Sequence, residues 1–100
     1  MKKLIVALAF SAVLATPVLA LDGQALYNDK GCGGCHGEAG ASITPTFPKL
    51  AGQHAKYITS QAIAIRDGKR NSGMTSMMRP IVAAVTNEEF QAIADFLASK

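Results

Sequence analysis

Cys32, Cys35 and His36 are the side chains in this 100-residue sequence best placed to act together, in the run Cys32-Gly33-Gly34-Cys35-His36. The C-x-x-C-H spacing is the pattern by which a haem is covalently attached to a polypeptide. Each thiol can add across one vinyl group, and the two-residue spacer lets both sulfurs reach one porphyrin edge. The histidine that follows then lies under the iron, so the motif supplies two thioether links and one axial imidazole. Three other uses of paired cysteines need different surroundings. A thioredoxin-like pair sits in a βαβ setting, whereas no β-branched or alternating apolar run flanks this one. A zinc site needs four ligands, and the only other histidine, His54, has no partner near it. A plain disulfide would close a very tight loop and leave His36 unexplained.

An iron held by one histidine keeps its sixth position for a side chain, water or a substrate, and that choice separates an electron carrier from a catalyst. The candidates are Met74, Met77, Met78 and His54. A loop methionine on the C-terminal side can come around to the haem face opposite His36. His54 opens a helix beside Gln53 and is more simply explained as exposed, with bis-histidine ligation as the other reading. Methionine is also a common core filler, so at least one of the three is expected to be only that.

The elements that must position these groups are short. Asp22 caps a predicted helix over 22–30, with Ala25, Leu26 and Tyr27 as its apolar positions and Gly31 as its end. Glycines with Pro45 and Pro48 predict a loop over 37–52, wrapped around the haem edge. A second helix is expected over 53–67, with Tyr57, Ile58, Gln61, Ala62 and Ile65 on one face and Gly68 closing it. Residues 69–79 show no helical apolar period before Met77 and are expected to form a second loop, after which Pro80 begins a short helical turn over 80–85. Thr86-Asn87-Glu88-Glu89 matches a capping box for a final helix carrying Phe90, Ile93, Ala94 and Leu97, with Phe96 beside them. With no strand, repeat or linker in prospect, the expectation is one all-α domain.

Residues 1–20 have the pattern of a cleaved signal peptide: Lys2 and Lys3, an apolar run over 4–15, and Val18-Leu19-Ala20 before the cut. The run stops at Thr16-Pro17, short of the ~20 apolar residues that span a bilayer, so no permanent membrane span is expected. No cysteine follows the run to carry a lipid. The domain is then 21–100, and loss of Lys2 and Lys3 takes the formal charge from +3 to +1. No lysine or arginine run of the kind that binds nucleic acid is present, so nucleic acid is not an expected partner. A chain this short is marginal at burying its own core and commonly relies on a staple. A buried haem would be that staple, and the apoprotein is expected to be largely unfolded.

The attachment motif with Gly37, the run Phe47-Pro48-Lys49-Leu50-Ala51-Gly52-Gln53 with Tyr57, and Met77-Met78-Arg79 followed by the capping box resemble the small bacterial class I c-type cytochromes. The likeness is greatest to the c-four and c-five type group and extends over 22–100. It implies the class I cytochrome c fold, with a few short helices and loops around one covalently bound haem c. Attachment outside the cytoplasmic membrane is part of the same implication, hence a periplasmic location. The resemblance makes His36 the proximal ligand and Met78 the distal one, with Met77 the runner-up. It places Pro48 where a carbonyl accepts the Nδ1 hydrogen of the axial histidine. Gly23 and Tyr27 would cross Ile93 and Phe96, although Asn28-Asp29-Lys30-Gly31 is one residue longer than the group's commonest spacing.

The implied activity is one-electron transfer rather than catalysis, with redox donor and acceptor proteins meeting an exposed haem edge rimmed by Ile43, Met74 and Met77. The alternative is a haem-bearing subunit of a larger oxidoreductase, for example beside a flavoprotein oxidising sulfur compounds. A haem enzyme with an open sixth position is disfavoured by the three methionines. Gln61, Arg70 and Asn71 carry donors suited to the haem propionates.

Overall fold

Asp22 starts the first helix by taking extended backbone and accepting the Ala25 N–H at 3.1 Å. The computed structural model describes residues 20–100, so the expected signal sequence lies outside the described residues except for Ala20. Helix α1 (Gly23–Asp29) buries Tyr27 completely, while Ala25, expected inside, is exposed. Gly31 follows with φ +81°, and the chain enters α2 (Gly33–His36), a single turn that ends on the histidine. A 3-10 turn over Glu38–Gly40 opens the predicted loop, whose remainder is irregular up to His54.

Helix α3 (Ala55–Arg66) begins two residues later than predicted, because His54 is extended and stands at the N-cap. Ile58 and Ile65 are buried with Ala62 between them, an i, i+4, i+7 stripe. Tyr57 stands one position, about 100°, off that stripe and is 54% exposed, contrary to the predicted face.

The largest departure is α4 (Thr75–Val82), which takes in 75–79 from the predicted loop, holds Pro80 in its interior rather than at its start, and ends at Val82 instead of continuing to 85. The apolar residues Met74, Met77, Met78, Ile81, Val82 and Val85 recur at i, i+3, i+4, i+7, i+8 and i+11, so the helical period was present from Met74 onward. The Thr75 hydroxyl donates to the Ser72 carbonyl at 2.8 Å where the helix begins. Helix α5 (Asn87–Ala98) has the full capping box. Thr86 Oγ1 accepts the Glu89 N–H at 3.1 Å, and Glu89 Oε1 accepts the Thr86 N–H at 3.0 Å.

Helices α1 and α3 both pack on α5, and α4 packs on α3. The described residues contain no strand. One core cluster joins Tyr27, Ile58, Ile93, Ala94 and Leu97; a second joins Ile65, Val82, Val85 and Phe90. Full burial of a side chain such as Leu97 stabilises by roughly 1.5–3 kcal/mol. Where α1 crosses α5, a Cβ on Gly23 would overlap the Ala92 carbonyl and come within 2.9 Å of Phe96 Cβ, so the approach requires glycine. The Tyr27 and Phe96 rings lie 5.9 Å apart, tilted by 56°. The close crossing is therefore present despite the extra residue before Cys32.

Gly23→Ala should force these helices apart and cost about 1–3 kcal/mol, the usual penalty of overpacking, read as a lower denaturation midpoint. Glu89 generates a pH-dependent expectation. The Thr86 N–H, and then Lys30 at 3.5 Å, hold its carboxyl below the ordinary value near 4.5. A depressed carboxyl contributes stability above its unfolded pKa and loses it as the pH falls through the folded one. Acid titration of stability should therefore show a smaller loss below about pH 4.5 in Glu89→Gln than in the native chain.

Candidate haem-binding site

His36 is only 5% exposed, and a buried imidazole must satisfy its ring nitrogens. Its Nδ1 lies 2.7 Å from the Pro48 carbonyl oxygen. A carbonyl only accepts, so Nδ1 carries the hydrogen and the Nε2 lone pair is left for the cavity that His36 lines. The acceptor is brought there by the loop turning back on itself. Leu50 N–H and Ala51 N–H both donate to Gly40 O, at 2.9 and 3.1 Å.

Cys32 caps α2 with helical backbone and Cys35 follows one turn later, which sets the two sulfurs on neighbouring positions of one short helix. The Cys35 and His36 N–H groups both point to the Cys32 carbonyl, at 3.3 and 3.0 Å. Both thiols are partly buried and not joined to each other. Burial pushes the Cys32 thiol up from its ordinary value, the opposite of the lowered thiol a dithiol oxidoreductase needs.

Cys35 and His36 open on a cavity of about 420 Å³, within the size range of cofactor sites. The 37–52 loop contributes Phe47, Pro48 and Leu50 to its wall, and α3 contributes Ile65. Met74, at the N-cap of α4, lines it together with Met77, Met78 and Ile81 from the helix itself. Met78 is partly buried and packs on the cluster of Ile65, Val82, Val85 and Phe90. Met74 and Met77 are 46% and 54% exposed.

Other expected participants stand elsewhere. His54 is exposed and does not line the cavity, and Ile43, 98% exposed, is not part of its wall. Arg70 does line it, with its Nη1 donating to Gln61 Oε1 at 3.2 Å, whereas Gln61 and Asn71 do not. Ile65 and Ile81 are lining residues that the sequence reading did not assign to the site. Ile81 was findable from the 3–4 spacing that starts at Met74. A second cavity of about 400 Å³ between α3 and α5 is lined by groups such as Lys56, Thr59, Gln91 and Asp95 and has no sulfur or imidazole on its wall.

The donor set fits a haem. It offers two thiols on one helical turn, an imidazole whose free nitrogen is selected by a carbonyl, and thioethers from a separate helix, around largely apolar walls. Among the described residues no group of three His, Cys, Asp or Glu side chains is placed to hold a bare metal ion.

Residues 20–100 match the Cytochrome c family. The chain is 40% identical over 81 residues to the thiosulfate dehydrogenase electron acceptor of Stutzerimonas stutzeri, across 81% of this chain and 38% of that protein. It is 36% identical over 96 residues to cytochrome c4 of Pseudomonas aeruginosa, across 87% of this chain and 48% of that one. Against cytochrome c-553 of Nitratidesulfovibrio vulgaris it is 31% identical over 102 residues, with 98% of each chain covered. The chain thus spans less than half the length of the first two relatives. Similarity over the same residues that build the cavity, from the attachment motif to the final helix, makes this chain a member of the cytochrome c family, a small class I c-type cytochrome of the c4 kind whose cofactor is a covalently bound haem c.

Proposed function

We propose that the chain is a one-electron carrier in which Cys32 and Cys35 anchor the haem and His36 and Met78 are its axial ligands. The carrying observation is that His36 and Met78 line one cavity from different elements, each backed by the protein interior. Haem iron between an imidazole and a thioether cycles between ferrous and ferric by one electron, and the soft neutral sulfur favours the ferrous state. Pro48 holds the His36 ring in one orientation and one tautomer. Packing of Met78 against the cluster of Ile65, Val82, Val85 and Phe90 holds its sulfur where a flexible side chain would otherwise wander. With both axial positions taken by protein, no substrate site is left at the iron. Arg70, braced by Gln61, suits the acidic edge of the haem.

Met74, Met77 and Ile81 put exposed apolar surface at the cavity mouth. A small apolar contact of this kind suits brief redox encounters, which use interfaces under about 1,200 Å². A periplasmic location is supported by the signal pattern of residues 1–20. It is compatible with the described residues, which contain no helix long and apolar enough to cross a membrane. A second reading, service to an oxidoreductase acting on sulfur compounds, is favoured by the thiosulfate dehydrogenase electron acceptors of Stutzerimonas stutzeri and Thiomonas intermedia, 40% and 34% identical to this chain.

Absorption spectra test the ligand assignment. The ferric native protein should show the weak far-red band of sulfur ligation, and carbon monoxide should leave the ferrous spectrum unchanged. Met78→Ala should lose the band, bind carbon monoxide and fall in reduction potential, while Met77→Ala keeps the native spectrum. Loss of the band in Met77→Ala alone would transfer the role to Met77. Size exclusion of a native extract separates the two functional readings, because a free carrier elutes alone and a permanent subunit elutes with its oxidoreductase.

A further inference from the structure

Tyr27 is wholly buried, and the two ends of its side chain serve different parts of the molecule. The ring packs among Ile58, Ile93 and Leu97. The hydroxyl leaves that cluster for the turn that follows His36, where it donates to Gly37 O at 2.5 Å and accepts the Gly40 N–H at 3.1 Å. Packing alone asks only for an aromatic ring, and a buried hydroxyl is unfavourable unless its bonds are made. Burial, offset in part by the Gly40 bond, raises the Tyr27 pKa above its ordinary value near 10, so the group remains a donor at neutral pH.

The turn it ties is conformationally demanding. Gly37, Ala39 and Gly40 have φ of +81°, +52° and +74°, and Ala39 is the only non-glycine with positive φ among the described residues. Gly40 then passes the constraint onward, since its carbonyl accepts both the Leu50 and the Ala51 N–H. A Cβ on Gly40 would come within 2.9 Å of Ala51 N and 2.7 Å of Leu97 Cδ2, so these segments are in close contact. Pro48, two residues before Leu50, supplies the oxygen that His36 Nδ1 meets at 2.7 Å. Both sides of that hydrogen bond therefore converge on one phenolic oxygen. The donor side reaches it through Gly37, next to His36, and the acceptor side through Gly40.

We propose that the Tyr27 hydroxyl is a positioning group for the axial histidine, holding the two segments whose separation sets the His36–Pro48 bond and so tuning the reduction potential. The proposal rests on the reading of His36 as an iron ligand. A strong Nδ1–H···O bond makes the imidazole a more basic ligand, which favours ferric iron; a looser bond raises the potential.

Tyr27→Phe keeps the ring and removes only the oxygen, and Gly40 N–H retains its own bond to Gly37 O at 3.2 Å. The expected result is an intact c-type spectrum and a higher potential. The His36 Nδ1 proton should exchange about five- to tenfold faster, as loss of one hydrogen bond implies. Phe96→Leu, which loosens the same aromatic pair without touching the turn, is the control for general destabilisation. A native potential and native exchange in Tyr27→Phe would overturn the proposal, as would an equal shift in Phe96→Leu at matched thermal loss. A native protein with haem but without a histidine ligand would overturn the underlying reading as well, and its spectrum distinguishes that outcome. Should Tyr27→Phe fail to fold, hydrogen exchange of the native protein decides. Release of the His36 proton and the Gly40 amide through one opening supports the clamp, whereas release of the His36 proton while the Gly40 amide stays protected overturns it.

Discussion

Burial of one imidazole is the constraint from which most of this layout follows. An interior N–H without an acceptor costs about 1–3 kcal/mol, so His36 needs an oxygen close at hand. It takes that oxygen from Pro48, twelve residues on in sequence. The intervening loop must therefore reverse, which it does through left-handed backbone at Gly37 and Gly40 and two hydrogen bonds donated by the Leu50 and Ala51 N–H groups to the Gly40 carbonyl. Its far end is tied to the last helix, with the Gly52 N–H on Leu97 O at 2.9 Å. A loop that looks irregular in outline is thus fixed at both ends and in the middle.

The core is divided in a way that matches the two sides of the site. Cys32 and Leu50 pack on the cluster around Tyr27 and Leu97, and Met78 packs on the cluster around Ile65 and Phe90. Helices α3 and α5 contribute to both, α3 through Ile58 and Ile65, α5 through Ile93 and Phe90. The attachment side and the methionine side are therefore held in register by two twelve-residue helices packed against each other. Arg66 reinforces the second cluster, donating to Val85 O at 2.9 Å and lying 5.4 Å from the Phe90 ring centroid. For an electron carrier this matters, because ligands that stay in place during oxidation and reduction keep the barrier to transfer low.

Signals confined to a few residues were legible in the sequence. The C-x-x-C-H spacing, the Asp22 cap, the Thr86–Glu89 capping box and the helix-ending Gly31 and Gly68 each depend on their immediate neighbours, and α1 and α5 fall where those signals put them, whereas the single turn of α2 had no such signal. What depended on weighing one signal against another was less legible. Its missing N–H suits Pro80 to the first helical position, yet it stands in the sixth position of α4. A proline in a helix interior costs ~3 kcal/mol or more. Burying Val82 and part of Met78 returns a comparable amount at roughly 1.5–3 kcal/mol for each fully buried side chain, so the apolar period outweighs the breaker. The Tyr27 hydroxyl was invisible for another reason: its partners lie ten and thirteen residues away, and no local pattern announces them.

The register of α4 also explains why two adjacent methionines differ. Met78, Val82 and Val85 form an i, i+4, i+7 stripe that faces Ile65 and Phe90. Met74, Met77 and Ile81 form the adjoining stripe, and all three remain about half exposed. Adjacent residues on a helix point about 100° apart, so the same turn presents one sulfur backed by core and one facing the mouth of the cavity. A ligand to iron gains from the first situation, where packing restricts the thioether. A docking rim gains from the second, where flexible apolar side chains can adapt to a partner. On the proposed assignment one short helix would serve both ends of electron transfer, the holding of the iron through Met78 and the meeting with a partner through Met74, Met77 and Ile81, by the difference between neighbouring positions.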